Sequence, residues 1–492
     1  MKLKIKELRF LTGRPVCMIH EKTAEEMSLH VGHRVSITKG KKKIISIVDT
    51  VSKILTQKQI AVSDEIMQEL GLKAGDSIEV EVAERPHSIS LIKKKLKGEV
   101  LNKEEIKEII DNIANNSLTE VEVAFFVSAV YSKGMSLSET KNLVDAMVSS
   151  GNRMKLKGVV VDKHSIGGIA GNRTTPIVVS ICTTAGLVMP KTSSRAITSA
   201  AGTADVIETI AKVNFSVKEI KEIIRKTGGC FVWGGALGLA SVDDKIIRIE
   251  KIANIDSTAQ LLASILSKKI SVGSKYILID IPYGNSAKVN LKKARELRKK
   301  FIILGKKFGL KINVLLTDGG EPIGNGVGPV LEIKDVIKVL RRGEDSPDDL
   351  ESKSVFLAGK LLELSKKAKK GQGIKMAQEI LDSGEAFKKF VQIVKAQQGD
   401  INNLNKLKMP KFSFDVKAKK RTVIRHIDNA IINELGRTAG CPEDKEAGVY
   451  IYKKKGETAE KGEKILTVYS TSPEKLKQAK KYYLENWQLV ED

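Results

Sequence analysis

The sequence predicts a multidomain α/β protein in which a helical lobe and a large α/β lobe follow a small N-terminal β-barrel and precede a C-terminal α+β domain. Three observations carry this. Residues 1 to about 84 are short alternating segments between glycines, residues 88–155 switch to helical periodicity, and residues 156 to about 408 alternate apolar strands with amphipathic helices. The length of 492 residues suits roughly three or four domains. Hydrophobic residues at 41% and charged residues at 29% allow a sizeable core and argue against a disordered chain.

In the first segment, Val35–Thr38 and Lys43–Val48 alternate as half-buried strands do, and Gly32, Gly40, Gly71 and Gly75 punctuate them. Arg85 and Pro86 mark a boundary. The helical segment carries the start signals Asn102 with Glu105 and Ser136 with Glu139, and Gly134 and Gly151 as stops. In the α/β segment, Val159–Val161, Tyr276–Asp280 and Lys311–Leu316 read as buried strands. Residues 241 to about 271 read as helices that pack back on the helical lobe. After Pro410, Val449–Tyr452 and Ile465–Tyr469 are strand-like and Pro473–Leu484 is a closing helix. The expected domains are therefore 1–84, 88–155 with about 241–271, 156–240 with about 272–408, and 410–492.

Lys and Arg number 84 against 59 Asp and Glu, an excess of +25 that attracts anions of any kind. Aromatics are only 4% and do not interleave with the lysine runs, so the charge gives no stacking platform and no specific nucleic-acid partner is expected. Cys17, Cys182, Cys230 and Cys441 form no CxxC pair, which points to a reducing, cytoplasmic setting without a cysteine metal site. No apolar run approaches the ~18 residues of a membrane span, and residues 1–6 (MKLKIK) lack a signal-peptide block. His30 and His33 have no further ligand spacing around them, and no GxSxG or HExxH motif is present. No metal or organic cofactor is expected.

Chemistry concentrates between 162 and 203. Directly after an apolar strand comes Asp162-Lys163-His164-Ser165-Ile166-Gly167-Gly168-Ile169-Ala170-Gly171-Asn172-Arg173-Thr174-Thr175. A strand, a glycine-rich turn with hydroxyls and then a helix is an arrangement that cradles phosphate, because backbone N–H groups can approach an anion at a helix start. A merely tight strand–helix connection would look similar. The glycine spacing matches neither a Walker A loop nor GxGxxG. A second polar stretch, Lys191 to Thr203, offers hydroxyls, a lysine and Arg195; Thr203 reads equally as a helix N-cap. Ser257 and Gln260 form a capping-box pattern that starts a helix at Ser257 with Asp256 just outside, and Ser264 and Lys268 then share a face.

These residues resemble the thymidine/pyrimidine-nucleoside phosphorylase family. The resemblance runs from Asp162–Thr175 and Pro190–Thr203 through Asp256-Ser257, Leu262–Lys269 and Thr317-Asp318 into a C-terminal domain from about His426, and covers about 88–492. The extra N-terminal barrel is most similar to the archaeal AMP-phosphorylase branch. The resemblance implies a nucleoside-phosphorylase class II fold and a pentosyltransferase acting on AMP with inorganic phosphate as co-substrate. It implies a homodimer or larger homo-oligomer, with dimerisation through the helical lobe and the barrel promoting assembly.

By position, the resemblance puts Lys163, Ser165, Thr175, Ser193 and Thr203 at inorganic phosphate. Gly168, Ser194, Arg195, Ala196, Ile197, Thr198, Ser199, Thr203, Ser264, Lys268 and Lys288 fall at the nucleotide. Asp256 falls at the proton donor and His164 at a histidine that assists near the ribose and base. Lys288 would reach the 5′-phosphate, although it is also one lysine among many. Asp256 before a helix is equally a plain electrostatic neighbour of the dipole. One departure matters, since the arginine that grips a pyrimidine carbonyl aligns near Ile249, and its loss favours another base. Closure about Gly158, Gly235 and Gly273 would bring base and phosphate residues together.

Overall fold

A closed six-stranded barrel forms from β1 (Lys2–Ile5), β2 (Val16–His20), β3 (Arg34–Lys39), β4 (Lys42–Val51), β5 (Gln59–Val62) and β6 (Ser77–Val82), in the order β1-β5-β2-β4-β3-β6. Antiparallel pairing of β6 with β1 closes it. Period-two alternation drives this: Leu3, Ile5, Val35, Ile37, Ile78 and Val80 point inward, while Lys4 and Glu79 between them face out and Ser36 is buried. Helices α1 (Glu21–Glu26) and α2 (Asp64–Leu70) cover it. At the end of α2 the backbone turns left-handed at Gly71, φ 61°, a conformation that glycine adopts without steric penalty.

The computed structural model describes residues 1–196, 199–237, 241–253, 255–406 and 410–486. Four helices follow the barrel: α3 (Ser88–Leu96), α4 (Lys103–Ala114), α5 (Glu120–Lys133) and α6 (Leu137–Ser149). The capping boxes read from Asn102/Glu105 and Ser136/Glu139 are both closed, and Thr119/Glu122 adds a third. Arg34 of β3 pairs with Glu122, tying barrel to helix.

The chain then builds the α/β lobe with β7 (Val161–Ser165), α7 (Thr174–Thr184), β8 (Met189–Ser193), α8 (Thr203–Ile207), α9 (Val217–Thr227) and β9 (Gly229–Trp233). Helix α10 (Ser241–Ala253) returns to the helical lobe, where Lys245 Nζ donates to the carbonyls of Ile113 (2.6 Å) and Ala114 (3.1 Å) at the end of α4. Helix α11 (Thr258–Ser271) leads to β10 (Tyr276–Tyr283), α12 (Leu291–Lys307), β11 (Lys311–Asp318), β12 (Gly326–Val327), α13 (Pro329–Arg341), α14 (Asp348–Leu364), α15 (Gly373–Asp382) and α16 (Glu385–Ala396). The C-terminal domain has β13 (Phe412–Lys417), β14 (Thr422–Val423), α17 (Asn429–Ala439), β15 (Gly448–Ile451), β16 (Thr458–Ala459), β17 (Lys464–Ser470) and α18 (Pro473–Asn486). Its sheet, β12-β15-β17-β13, takes its edge strand from the segment after β11, so this domain is stitched to the α/β lobe.

Parallel strands β11-β10-β7 and β8-β9 meet through the Val160–Val188 bridge, and all run the same way. Their carboxyl ends therefore gather the loops after Ser165, Ser193, Tyr283 and Asp318, which is where open parallel sheets bind ligands.

Two compact units emerge: Met1–Ser150 with Ser241–Ala263, and Gly151–Ala240 with Ser264–Asp492. The barrel and helical lobe belong to the first, the α/β lobe and C-terminal domain to the second. Passage between them falls within α11 at 263/264 rather than at about 271. It also puts Gly158, Gly235 and Gly273 inside the second unit and not at the crossing points. The strand expected at Val159–Val161 runs instead from Val161 to Ser165, so Lys163 and His164 are strand residues, as are Lys191–Ser193 of the second polar stretch. Among the described residues no helix is long and apolar enough to cross a membrane.

Candidate active site

Alternation along β7 gives the site two sides. Lys163 and Ser165 point one way, Asp162 and His164 the other. On the first side Lys163, 1% exposed, donates to Thr174 Oγ1 at 2.7 Å and approaches Thr175 Oγ1 at 3.5 Å, both in the first turn of α7. Asp280, paired in register with Ser165 across β7 and β10, accepts from Thr317 Oγ1 at 2.6 Å and lies 3.5 Å from Lys353 Nζ. Burial pushes the Lys163 ammonium down to about 8, against the pull of Asp280.

On the second side the buried Asp162 takes Lys269 Nζ at 2.7 Å and Lys191 Nζ at 3.4 Å. Burial and Lys191 together hold Lys269 below the usual lysine range. His164 is held well below the ordinary imidazole range, first by burial and then by Lys269, Lys191, Lys268 and Lys163 around it. Four largely buried lysines (163, 191, 269 and 353) thus answer two carboxylates (162 and 280), a standing positive excess beneath the loops.

The loops above are fixed by close backbone approach. Gly168, φ 94°, has Lys288 so near that a Cβ would meet Lys288 Cβ at 2.8 Å and its N at 2.9 Å. At Gly202 a Cβ would meet the carbonyl of Ser194 at 2.6 Å and the N of Ala196 at 2.7 Å. Ser165 Oγ, Ser193 Oγ and Asn172 Oδ1 are buried with no hydrogen-bond partner among the described residues, which is what side chains that serve a ligand look like.

Of the sequence-predicted residues, the second unit gathers Lys163, His164, Ser165, Gly168, Thr175, Ser193–Ala196, Ser199, Thr203 and Lys288 around these loops. Ser264 and Lys268 share a face of α11, with Lys268 Nζ donating to Ser264 Oγ at 3.2 Å. Ile197 and Thr198 lie outside the described residues. Arg195 is committed elsewhere: its guanidinium grips Glu208 at 2.7 and 2.8 Å and Asp205 at 3.1 Å, stacks 5.1 Å from the Trp233 ring, and holds the Glu208 carboxyl down to about 2. Asp205 also accepts the N–H groups of Ala196 (2.7 Å) and Gly202 (2.9 Å), so these groups shape the loop. Asp256 is exposed and belongs to the first unit. Ser257 precedes α11, whose first helical residue is Thr258; the Gln260 side-chain amide makes no hydrogen bond among the described residues, so the expected box is not closed.

Sequence reasoning passed over Arg173, which donates to Glu332 at 2.6 Å, Thr203 Oγ1 at 2.7 Å and the Ala201 carbonyl at 2.8 Å. One buried guanidinium thereby joins the start of α7 to the second loop. Its place inside the glycine motif was the available signal.

Comparison with known proteins follows this anatomy. Residues 89–151 match the helical bundle domain of a glycosyl transferase family, 157–387 its a/b domain, and 423–490 the pyrimidine nucleoside phosphorylase C-terminal domain. An AMP phosphorylase of Thermococcus kodakarensis is 42% identical over 97% of this chain and 95% of its own. The chain belongs to the AMP phosphorylase family. AMP phosphorylase 1 of Archaeoglobus fulgidus is 40% identical over the same shares. A Legionella pneumophila (strain Paris) relative with a provisional thymidine phosphorylase name is 41% identical over 89% of this chain and 85% of its own. Anthranilate phosphoribosyltransferase from Thermus thermophilus shares the fold, with a TM-score of 0.53 at 17% identity over 63% of this chain and 99% of that one.

The Gly168–Lys288 contact gives this AMP-phosphorylase scaffold a sharp test. Gly168→Ala must displace the backbone at Lys288 and strain a left-handed residue. It is expected to lower kcat/KM for AMP by about tenfold or more, a loss of roughly 1.4 kcal/mol, with far-UV circular dichroism unchanged. An unaltered kcat/KM would remove the contact from the site.

Proposed function

We propose that this chain carries out phosphorolysis of a nucleoside 5′-monophosphate, with AMP and inorganic phosphate giving adenine and ribose 1,5-bisphosphate. The observation that carries a nucleotide over a nucleoside is the seating of Lys288 on Gly168. It roots a second cationic side chain beside the glycine loop, and a second anion site there would suit a substrate that brings its own phosphate to meet a free one. In this reading Lys163, Ser165, Thr175, Ser193 and Thr203 hold inorganic phosphate, and Lys288 meets the 5′-phosphate, which carries about −1.5 to −2 charges at neutral pH. Ser264 and Lys268 read the base.

A phosphate oxygen attacks the anomeric carbon from the face opposite the base. The C–N bond breaks with its electron pair going to adenine, Asp256 gives adenine a proton, and the developing ribose charge is stabilised by the adjacent phosphate. His164, neutral in its ring of lysines, orients ligands by hydrogen bonding rather than supplying that proton. The scaffold reads as nucleoside-phosphorylase class II. The exposed Val121 and Phe125, one turn apart on α5, support contact between copies through the helical lobe.

The deciding assay incubates the protein with phosphate and AMP, adenosine, CMP or thymidine and quantifies free base. Release from AMP and not from adenosine, falling on Lys288→Ala, is the expected result. Turnover of thymidine in preference to AMP would favour the nucleoside reading that the Legionella relative's name carries.

A further inference from the structure

One face of α17 in the C-terminal domain reaches both anion loops. Asn429, 0% exposed and first in the helix, accepts from the backbone N–H of Ala170 at 2.9 Å through Oδ1. Its Nδ2 donates to Ser286 Oγ at 2.9 Å and to the Gly319 carbonyl at 3.1 Å. The partners fix the amide's orientation, since a backbone N–H must meet oxygen and a carbonyl must meet nitrogen. Ser286 passes its own proton to the Gly320 carbonyl at 2.7 Å. One side chain thereby clasps the glycine loop, the loop that carries Lys288, and the loop after β11. Asn433, one turn on and also buried, accepts the N–H of Ala200 at 3.1 Å in the second phosphate loop.

The helix that carries them is itself anchored. Asp428 caps its start by accepting from Ala430 and Ile431, and Glu321 of the loop after β11 takes His426 Nδ1 at 2.6 Å and the N–H of Ile427 at 2.8 Å. Generic packing between lobes uses apolar side chains. Here two buried amides are placed on N–H groups beside the glycine and hydroxyl loops, which Arg173 also ties to each other at the start of α7.

We propose that Asn429 and Asn433 are positioning residues for the reaction. The C-terminal domain acts through them as a strut that presets the two anion loops, Asn429 through the glycine loop and the loop that carries Lys288, and Asn433 through the second loop, each serving both phosphate and nucleotide. This rests on the phosphorolysis reading above. Three variants, Asn429→Ala, Asn433→Ala and Asn429→Ala/Ser286→Ala, are compared with the full-length protein by steady-state kinetics, calorimetry and amide hydrogen exchange.

Removing one partner of a buried hydrogen bond leaves the other unpaired. Asn429→Ala is expected to raise KM for both AMP and phosphate about tenfold or more, and Asn433→Ala to raise both KM values through the second loop, which carries residues assigned to each substrate. The added Ser286→Ala change should then cost only its bond to the Gly320 carbonyl, because the bond to Asn429 is already gone. Exchange in Asn429→Ala should speed up together at residues 166–171, 283–289 and 317–321. A lowered Tm with both KM values unmoved, or loops that exchange as in the parent protein, overturns the strut. Should Asn429→Ala fail to fold, Asn433→Ala carries the test through its two KM values and through faster exchange at residues 199–203. If the parent protein releases no base from AMP, the phosphorolysis reading fails, while the exchange data still decide whether these asparagines hold the loops.

Discussion

Asp256→Asn is expected to lower kcat for AMP phosphorolysis by about 10²- to 10⁴-fold, the range that one positioned proton donor supplies. Adenine leaves poorly as an anion, so the carbon–nitrogen bond can break only as fast as the base is neutralised. The asparagine amide keeps the size and hydrogen-bonding reach of the carboxyl but has no proton to give, so KM for AMP and for phosphate should stay near those of the parent. A substrate whose leaving group needs no proton separates this role from a structural one. With p-nitrophenyl ribose 5-phosphate in place of AMP, the defect should shrink towards unity. An equal loss on both substrates would mean that Asp256 shapes the site and that the proton comes from elsewhere.

His164 is the nearest other candidate for that proton. Burial and the lysines 269, 191, 268 and 163 hold its imidazole well below the usual range, so at neutral pH it is uncharged. A neutral imidazole can donate a hydrogen bond to a ribose hydroxyl or a phosphate oxygen, but it does not arrive already protonated.

The glycine and hydroxyl loops were legible in the sequence because their chemistry is contiguous, and the capping boxes at Asn102 and Ser136 because a box is a local rule. The strand limits were not. Lys163, His164 and Lys191 read as loop by polarity, yet they are strand residues, the two lysines buried, because Asp280 and Asp162 are brought to them from other strands and Thr174 from the next helix. Tertiary partners override local propensity there. The same holds for Asn429, which lies 259 positions from Ala170 and whose role no window of sequence contains. Gln260 fails in the other direction, matching a local pattern that the packing of α11 does not complete.

Lys163 should set the upper pH limit of phosphate use. In the free protein its ammonium is pushed from 10.5 down to about 8 by burial, and a phosphate dianion beside it favours the charged form. KM for phosphate is therefore expected to be flat at neutral pH and to climb above about pH 8, approaching tenfold per pH unit as the proton is lost. Stability runs the opposite way. Between about pH 8 and 10.5 an unfolded chain still holds the proton that folded Lys163 has released, so the cost of burying the ammonium is full below that window and is relieved as pH rises through it. Lys163→Met removes both effects. Its phosphate kcat/KM should fall roughly 10- to 100-fold at pH 7, the weight of a hydrogen bond to a charged group, and the rise in KM above pH 8 should vanish while Tm at neutral pH does not fall. The opposed signs exclude a general alkaline unfolding, since that would weaken phosphate binding and lower Tm together. A rise in KM that persists in Lys163→Met would assign the pH limit to another buried lysine, with Lys269 first in line.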